Sequence, residues 1–460
     1  MIEFSKNMKL HFTGIGGAGM LPLALHAAAL GCRVEGSDLS SENFHILERS
    51  SISPVKGHGS VSPDIDLLVY SAAVPADDPE LVSAGNMNIP AVKRAVFLDM
   101  VTKDRHTVLV SGSHGKSTVT AMLADMMSGD EIGAAAIVGA ETAAAGSNYY
   151  PGEGRRMIVE ADEYDRSFLR LHPKDLIVLN IDDDHMDIYG DLNGLKQAFS
   201  ELASKLDKNS VLVYNGDDEN TVSAVSGCAA RKISFGFSPG CTFSAADIKY
   251  NDFRTSFDLV NDGKVLCSAE YYYTGRLNVY NMLAAASYLS SCGISGEMIK
   301  ELALRFKGVK RRTEIIYRSS SYILIDDYAH HPSEIKASLE NIRSNTEGRL
   351  IVMFQPHLYS RTKFHLEGFA KSFSKADLVY ISHIYPAREK YDPSVASTDI
   401  FDRMDEEMKK RTRVFVSFDE VYGELSVSVR PGDVVVSMGA GEINKVLYRL
   451  REALLKNDRK

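Results

Sequence analysis

The stretch Thr107–Met122 constrains the fold of this chain more than any other feature. Its first five residues are apolar and β-branched enough for a buried strand, and the spacing predicts a helix over Ser117–Met127. The segment Gly112–Ser117, with the sequence GSHGKS, lies between them. Glycines let backbone N–H groups turn toward an anion at a helix N-terminus, a lysine adds a point charge, and a serine hydroxyl can contact Mg²⁺. The order of strand, glycine loop and helix therefore predicts a nucleoside triphosphate site.

The match to the general phosphate-loop pattern is incomplete at one place. The pattern has a further glycine five residues before Gly115, and this chain has Val110 there. A glycine-containing turn with a solvated lysine is the alternative interpretation. The predicted strand before the loop, the helix after it and the Gly-Lys-Ser sequence together favour a phosphate loop.

Bulk properties exclude several classes of protein. A chain of 460 residues with 44% hydrophobic and 25% charged residues is ordinary for a globular protein of two to four domains. A net charge of −9 without long Lys or Arg runs disfavours a nucleic-acid or anionic-membrane partner. No signal-peptide core and no membrane-length apolar stretch is present, so we expect a cytoplasmic location. Five widely spaced cysteines without a C-x-x-C pair indicate neither a disulfide framework nor a zinc site.

A second glycine-rich turn lies near the N-terminus. A predicted strand, Lys9–Thr13, is followed by Gly14–Gly19 and an apolar helical run, and the next strand, Cys32–Ser37, ends at Asp38. This G-x-G-x-x-G pattern predicts a diphosphate at the helix N-terminus, with Asp38 near a sugar or a base. Taken alone the pattern indicates NAD, and a purely structural glycine turn is the other alternative.

Two predicted strands of the central region end in acidic clusters. Arg156–Glu160 runs into a cluster of acidic residues, and Leu176–Ile181 runs into three aspartates and His185. Ligands gather at the carboxyl ends of parallel strands, and Mg²⁺ prefers hydroxyl and carboxylate oxygens, so Ser117 and Glu160 are candidate ligands. His185 is less expected, because imidazole suits softer metals, and a solvated His–Asp pair is its alternative. The remaining acidic residues of both clusters are expected to face water.

The last part of the chain again alternates strand and helix. Polar residues follow its first two predicted strands, Tyr322–Asp326 and Arg349–Phe354, and each histidine among them has an alternative role as a helix cap. Within the central part, Ile233–Tyr273 reads as several short strands, with Tyr271–Tyr273 as a solubilised edge strand. The sequence thus predicts an α/β protein of three domains, each a mostly parallel sheet flanked by helices. The expected boundaries are 1–104, 105–313 and 314–460.

An ordered series of motifs gives the chain a family resemblance. From HFTGIGGAGM at His11 to SMGAGEI at Ser437, the series contains GSHGKST, EADEYDRSF, DHMDIYG, GVKRR, DDYAHHP, FQPHLYSRT and YPARE. Over essentially its whole length the chain resembles the Mur ligases, and most closely those that join L-alanine to UDP-N-acetylmuramate. The resemblance implies a Rossmann-like first domain, a P-loop ATPase-like central domain and a Rossmann-like last domain. It also implies ATP and Mg²⁺, with Mn²⁺ as an alternative, and small-molecule substrates acted on by a monomer or homodimer.

The resemblance also implies a role for each site residue. The first domain would hold the UDP-sugar through Gly16, Gly17, Ala18, Gly19, Met20, Asp38, His58, Ser71 and Ala72. ATP would contact Gly112, Ser113, His114, Gly115, Lys116, Ser117, Thr118, Asn278, Asn281, Arg312 and Asp326. Magnesium would be held by Ser117, Glu160 and His185. The incoming amino acid would be lined by Tyr328, His330, His357 and Arg361.

The implied chemistry is amide formation through an acyl phosphate. Lys116, Glu160, His185, His330 and Arg361 are the expected catalytic residues. Lys116 and the metal would neutralise charge during phosphoryl transfer. Arg361 suits the α-carboxylate because its guanidinium pairs a carboxylate in bidentate fashion, and His330 is a hypothesis for the base that deprotonates the amine.

Three departures from the family pattern leave alternatives open. Serines stand for three usual threonines of the phosphate loop, which keeps the hydroxyls. Leu277 replaces a common His beside Asn278, and Leu358 replaces a common Arg, so one nucleotide contact and the choice of alanine are in question. The alternatives are a tripeptide-recycling ligase acting on the same nucleotide sugar, an NAD-dependent dehydrogenase and a catalytically silent nucleotide-binding homologue.

Overall fold

The computed structural model describes residues 4–129, 132–183, 186–387 and 389–458. These residues form two compact units, each with its own core. The first unit groups Met1–Lys249, Ser256–Tyr272 and Asn278–Val309, and the second groups Tyr250–Thr255, Tyr273–Leu277 and Lys310–Lys460. Within the described residues, no helix has the length and apolar character needed to cross a membrane.

The first sheet is a five-stranded parallel sheet of the order β3-β2-β1-β4-β5. Its strands are β1 Lys9–Thr13, β2 Arg33–Asp38, β3 Pro54–Lys56, β4 Leu67–Tyr70 and β5 Ala91–Lys93. The helices between them are α1 Leu21–Ala29, α2 Phe44–Arg49, α3 Pro79–Asn86 and α4 Arg94–Thr102. The central strand β1 is buried from Leu10 to Thr13, and the apolar Leu10 and Phe12 alternate there with His11 and Thr13.

The central sheet has ten strands in the order β15-β14-β13-β12-β11-β10-β6-β9-β7-β8. The strands are β6 His106–Ser111, β7 Ala135–Ile137, β8 Tyr149–Tyr150, β9 Arg156–Glu160, β10 Asp175–Val178, β11 Val211–Asn215, β12 Arg231–Phe235, β13 Phe243–Asn251, β14 Arg254–Asn261 and β15 Lys264–Tyr271. The helices are α5 Lys116–Met127, a 3₁₀ helix Tyr164–Arg170, α6 Met186–Tyr189, α7 Leu192–Ala203, α8 Glu219–Val225, α9 Arg276–Ser291 and α10 Gly296–Ala303. Strand β6 lies between β9 and β10, both parallel to it, so the carboxyl ends of all three strands meet at one edge.

The third sheet has six strands in the order β16-β17-β21-β18-β19-β20. The strands are β16 Glu314–Arg318, β17 Ile323–Asp327, β18 Leu350–Phe354, β19 Leu378–Ile381, β20 Thr412–Val414 and β21 Val434–Met438. Only the edge strand β16 pairs antiparallel. The helices are α11 Pro332–Ser344, α12 Tyr359–Phe364, α13 Leu366–Ser372, α14 Thr398–Asp402, α15 Glu406–Lys410, α16 Phe418–Ser428 and α17 Asn444–Asp458.

The structure corrects two expectations about the centre of the chain. The strands of Ile233–Tyr273 are not short, since β13, β14 and β15 span eight or nine residues each. The tyrosines at the end of β15 lie at a sheet edge, as predicted, but Tyr271 and Tyr273 are buried and only Tyr272 is exposed. Tyr271 and Tyr273 are two residues apart, so in an extended chain their rings point to the same side, which is the buried one, and the ring of Tyr272 points to the other.

Candidate active site

The glycine turn of the first domain is held closed by side chains from the next βα unit. Gly14 adopts φ +80, a left-handed conformation that glycine tolerates, and its N–H donates to the Ser37 carbonyl at 2.8 Å. The Gly16 N–H donates to Asp38 Oδ2 at 2.9 Å, and Asn43 Nδ2 donates to the Gly16 carbonyl at 2.9 Å. Asp38 therefore positions the loop itself, in addition to any contact it makes with a ligand.

The other predicted UDP-sugar residues surround this turn in different ways. Gly17 and Ala18 are exposed, whereas the Met20 side chain is 1% exposed and packs in the core. Ser71 lies directly beneath Gly14, because a Cβ on Gly14 would lie 3.7 Å from the Ser71 Cβ. Ala72 is exposed at the end of β4. These residues share the carboxyl edge of the first sheet, where doubly wound folds bind ligands.

His58 is oriented by a carboxylate that the sequence did not single out. Its Nδ1 lies 2.5 Å from Asp78 Oδ2, and Asp78 Oδ1 in turn accepts the Glu80 N–H at the start of α3. The His58 Nε2 atom is buried and has no hydrogen-bond partner among the described residues. A buried, unpaired ring nitrogen is costly unless something else bonds it, so Nε2 is a candidate contact for a ligand.

Arg94 is a cation beside the glycine turn that sequence reasoning missed. A Cβ on Gly19 would lie 3.0 Å from Arg94 Cδ and 3.4 Å from its Cζ, so the guanidinium lies over the loop. Arg94 is the first residue of α4, directly after β5. The Lys-Arg pair that ends the predicted first domain's run from Ile89 to Arg94 was the available signal, since a basic group near a phosphate-binding turn adds charge complementarity.

The phosphate loop has the geometry that its sequence predicts. Gly112 and Gly115 adopt φ +142 and +88, and Gly115 is the residue before α5. Asn180, at the end of the neighbouring strand, brackets the loop, because its Oδ1 accepts the His114 N–H at 2.8 Å and its Nδ2 donates to the His114 carbonyl at 3.0 Å. Asn180 is a second residue that sequence reasoning missed.

His114 and Ser113 contact the first aspartate of the second acidic cluster. Ser113 Oγ accepts the Asp182 N–H at 2.9 Å, and His114 Nε2 lies 3.1 Å from Asp182 Oδ2. This contact with His114 is the main reason why the pKa of Asp182 is well below its ordinary value. The loop is therefore fixed to the β10 end by both backbone and side-chain contacts.

Lys116 is bound by a buried carboxylate. Its Nζ lies 2.9 and 2.8 Å from the two oxygens of Glu163 and donates to the Gly112 carbonyl at 2.7 Å. Burial lowers the pKa of Lys116, but the carboxylates of Glu163 and Asp162 outweigh it, so the net pKa is raised and the ammonium stays charged. Burial raises the pKa of Glu163 to about 7, more than Lys116 lowers it. The expectation that Glu163 faces water was wrong, since this side chain is 0% exposed and paired inside the loop.

Glu160 and Ser117 lie together at the carboxyl end of β9. Glu160 Oε1 accepts the Ser117 hydroxyl at 2.9 Å, and Oε2 accepts the Gly139 N–H at 2.6 Å. Burial raises the pKa of Glu160, with Lys116 as the largest opposing influence. A half-buried carboxylate beside a hydroxyl is a donor set of hard oxygens that fits Mg²⁺, which would also compensate the carboxylate charge. His185, the third predicted ligand, lies outside the described residues.

Asn281 lies against the phosphate loop from α9. Its Oδ1 would be 2.6 Å from a Cβ on Gly115, where φ is +88, so a side chain there would strain the backbone and displace Asn281. The Asn281 Nδ2 donates to Asn278 Oδ1 at 3.1 Å. Thr118, the last residue of the predicted ATP loop, is buried in the first turn of α5. The structure thus brings both asparagines to the predicted phosphate loop.

In the second compact unit, the four predicted amino-acid residues form one cluster. The Tyr328 and His330 rings are 5.3 Å apart, the His330 and His357 rings are 5.8 Å apart, and Arg361 Nη1 lies 3.5 Å from His357 Nδ1. His330 Nδ1 also lies 3.0 Å from the Tyr328 carbonyl. The cluster combines an arginine with titratable rings, which is suitable for a zwitterionic ligand.

Leu358, the departure from the family pattern, is conformationally unusual. It adopts φ +67 between His357 and the start of α12, and its N–H donates to the Tyr385 carbonyl at 2.9 Å. Non-glycine residues are uncommon in this region of backbone space and concentrate at functional sites.

Arg312 and Asp326 also belong to the second unit. Arg312 lies over the Tyr328 ring at 5.2 Å and pairs with Glu334 at 3.7 Å. Asp326 is fully buried on β17, where it accepts hydrogen bonds from Ser437 Oγ at 2.9 Å and Asn444 Nδ2 at 3.1 Å. Asp326 therefore has structural partners within its own sheet.

Comparison with known proteins shows the class to which this fold and site belong. Three family models match consecutive parts of the chain: the Mur ligase family catalytic domain over residues 9–106, the Mur ligase middle domain over 110–289 and the Mur ligase glutamate ligase domain over 311–441. The chain belongs to the Mur ligase family. This confirms the predicted family and the fold class of three mostly parallel α/β domains, whereas the exact domain boundaries stay predictions.

Individual relatives are similar over nearly the whole chain. UDP-N-acetylmuramate–L-alanine ligases of Caldicellulosiruptor saccharolyticus and Acetivibrio thermocellus are each 36% identical to it, covering 95% and 97% of this chain and 97% and 96% of their own. Among solved structures, UDP-N-acetylmuramate–alanine ligase of Thermotoga maritima has a TM-score of 0.84 at 27% identity, covering 98% of this chain and 100% of its own.

Proposed function

We propose that this chain is an ATP-dependent ligase that joins L-alanine to UDP-N-acetylmuramate in peptidoglycan biosynthesis, releasing ADP and phosphate. The observation that carries the proposal is the grouping of Lys116, Ser117 and Glu160 at one sheet edge. Full-length similarity to relatives with this activity selects the substrates. The reaction is assigned to the cytoplasm, where both nucleotides are soluble substrates.

The chemistry explains why a triphosphate site is needed. A carboxylate does not react with an amine in water because its leaving group would be oxide. In the proposed reaction, a carboxylate oxygen of UDP-N-acetylmuramate attacks the γ-phosphorus of ATP, and the bond from that phosphorus to ADP breaks. The free amine of alanine then attacks the acyl carbonyl, and phosphate leaves as the amide forms.

The phosphate loop is assigned to the first of these steps. Lys116 neutralises charge on the phosphoryl group, and the loop amides from Gly112 to Ser117 orient the phosphates, which is mainly electrostatic work. ATP must compete with Glu163 for the Lys116 ammonium, because their hydrogen bonds use the same donors. Ser117, Glu160 and His185 would hold Mg²⁺, or Mn²⁺ in its place, which supplies additional positive charge to the phosphates when bound.

The first domain is assigned to the nucleotide sugar. Its glycine turn presents exposed backbone at Gly17 and Ala18 for a diphosphate, and Arg94 adds a cation over Gly19. The unpaired Nε2 of His58 is available to a sugar or base. No nicotinamide function is needed to explain these features, and a dehydrogenase would leave Lys116 and Glu160 without a role.

The cluster around Arg361 is assigned to the amino acid. Arg361 would pair the α-carboxylate, and His330 would accept the ammonium proton before the amine attacks. For His330, the test is the pH profile of kcat/KM for alanine in the His330→Ala variant. A profile of unchanged shape would remove His330 from this role.

A substrate panel tests the proposed function directly. Purified protein with ATP, Mg²⁺ and UDP-N-acetylmuramate is given alanine, serine, glycine or the tripeptide of the recycling ligases, and phosphate release is followed in a coupled assay. We expect the highest kcat/KM for L-alanine and no release without the nucleotide sugar. Preference for the tripeptide would reassign the protein to the recycling ligases, and absence of turnover with every acceptor would contradict the proposal.

A further inference from the structure

A cavity of about 860 Å³ lies within the first compact unit, away from the residues assigned above. One wall is formed by the last turns of α1 and α2 and the other by the segment 144–151 with the end of α5. The glycine turn precedes α1, so the cavity lies at the opposite end of that helix, roughly 13 Å along its axis. A cavity of this size where two α/β sheets meet is typical of a small-molecule site.

The lining of the cavity combines apolar walls with several polar side chains. Leu25 and Ala28 of α1 and Ile46 of α2 form one wall, and the rings of Tyr149 and Pro151 form the other. An amphipathic ligand fits this lining, because its apolar part would bury apolar surface while its polar part faced the polar side chains.

Charged groups at the cavity differ in whether they are already paired. Asp125 accepts a hydrogen bond from the Tyr150 hydroxyl and one from the Lys307 N–H at 3.4 Å. Arg49 and Arg305 line the same cavity and are exposed, and neither forms an ion pair with any residue that the structure describes. Among the described lining residues, Asp125 is the one carboxylate and is already bonded to its neighbours, so the two exposed arginines would complement an anionic group.

We infer that this cavity is a second ligand site, which takes an apolar, ring-containing molecule carrying one anionic group. The ring system would pack between Ile46 and Tyr149, and the anionic group would be bound by Arg49 and Arg305. Guanidinium groups pair with carboxylate, sulfonate or phosphate in the same fork geometry, so the class is defined by the apolar anion and not by one acid.

The cavity is connected to the glycine turn by one side chain. Ser147 and Tyr149 line the cavity, and Asn148 between them donates through Nδ2 to the Ala18 carbonyl at 2.6 Å. A ligand that repositions this segment changes the support of the turn, so we expect occupancy to alter binding of the nucleotide sugar. This coupling rests on the proposed function, whereas the ligand site itself does not.

The ligand site is tested with a fluorescent probe of the inferred class. 1-Anilinonaphthalene-8-sulfonate has an apolar ring system and one anionic group, and N-phenyl-1-naphthylamine is its uncharged counterpart. Titration of the full chain without substrates is expected to show one saturable site for the sulfonate and binding of the neutral probe about tenfold weaker. Equal affinity for both probes would overturn the inference, since the arginines would then not bind the sulfonate group. Binding that does not saturate would overturn it as well, since no single site would then exist.

Substitutions locate the probe. Arg49→Gln and Arg305→Gln are each expected to weaken the sulfonate about tenfold, and Ala145→Phe, at an exposed position on the cavity rim, to block it. Arg430→Gln, an exposed arginine of the second unit, is the matched control and should leave binding unchanged. Unchanged affinity in both cavity arginine variants would place the probe elsewhere and overturn the assignment.

Coupling has a separate readout. At saturating sulfonate, the dissociation constant of UDP-N-acetylmuramate is expected to change by at least about threefold, and by reciprocity the nucleotide sugar should change the sulfonate affinity by the same factor. An Asn148→Ala variant should lose this linkage while still binding the probe. Saturable probe binding without any linkage would remove the coupling but leave the proposed ligase function untouched.

Discussion

At the scale of single residues, the pair of Lys116 and Glu163 is the feature with most consequences. The loop presents a lysine to an incoming phosphate, and both oxygens of a fully buried carboxylate contact its ammonium. A buried charge without a partner is strongly destabilising, so each residue stabilises the other. Glu163 thus fixes the position of the Lys116 ammonium within the loop.

Removal of Lys116 should separate activity from folding. Lys116→Ala is expected to lower kcat at least about a thousandfold, because a charge aimed at the transferred phosphoryl group is lost. It should also destabilise the fold by about 3 kcal/mol, since Glu163 then stays buried without a partner. The double variant with Glu163→Gln should recover most of this stability in urea unfolding but none of the activity. Binding of the nucleotide sugar should persist in both, and substantial turnover in the folded double variant would contradict the role of Lys116.

His26 makes stability depend on pH. It is 1% exposed on α1, its Nδ1 lies 3.1 Å from the Tyr149 hydroxyl, and burial, with a smaller effect of Arg105, lowers its pKa to about 4. Between pH 4 and pH 6.5 the unfolded chain binds a proton at His26 and the folded chain does not. The stabilisation by neutral His26 is therefore complete above pH 6.5 and declines as pH falls toward 4. The loss at pH 5 is about 2 kcal/mol.

Urea unfolding at pH 7.5 and pH 5 measures this effect. From pH 7.5 to pH 5 the free energy of unfolding should decrease in both proteins. The decrease in His26→Phe should be about 2 kcal/mol smaller than the decrease in the unchanged chain. His45→Gln, at an exposed position, is the control because it removes a histidine outside the core. An identical pH dependence in His26→Phe and the unchanged chain would show that His26 is not the responsible group.

At the scale of elements, the sequence predicted what depends on local pattern. Strands β1, β9 and β19 begin and end where the sequence predicts, and the helix after the phosphate loop differs by one residue. Strand β16 is a five-residue antiparallel edge strand, and it was missed because its sequence, EIIYR, has no clear alternation of apolar and polar residues. The burial of Glu163 and the position of Arg94 over Gly19 were missed as well, since both depend on tertiary packing. The pair Tyr328 and His330 and the pair His357 and Arg361 lie in different segments of the chain; both came from the family resemblance, and they cluster in the structure.

The contact between the β7 end and the β9 end gives a prediction at this scale. A methyl group on Gly139 would lie 2.3 Å from Glu160 Oε1, at the end of a side chain that can rotate away. Gly139→Ala should therefore displace the carboxylate from Ser117 and lower kcat about a hundredfold, the loss typical of a misplacement near 1 Å. The melting temperature should change little, because only a side-chain terminus moves. Gly423→Ala, where a methyl group meets nothing within 4 Å, is the control, and full activity in Gly139→Ala would argue against Glu160 as a metal ligand.

At the scale of the whole molecule, the two compact units hold different parts of the proposed chemistry. Lys116, Ser117 and Glu160 belong to the first unit, which we assign to activation of the carboxylate, and Arg361 belongs to the second, which we assign to the amine. The two steps have separate products, because an acyl phosphate forms before any amino acid reacts. They can therefore be measured apart, and a substitution in one unit should impair one step selectively.

Hydroxylamine trapping distinguishes the steps. With ATP and UDP-N-acetylmuramate but no alanine, the acyl phosphate should react with hydroxylamine to give a hydroxamate at a rate that depends on Lys116. Arg361→Ala should retain this rate while KM for alanine rises about 10- to 100-fold, as expected from losing a hydrogen bond to a charged group. Arg430→Gln is the matched control, and both measurements should be unchanged in it. Loss of hydroxamate formation in folded Arg361→Ala would show that Arg361 serves the phosphoryl step, and the assignment of amino-acid recognition to this cluster would fail.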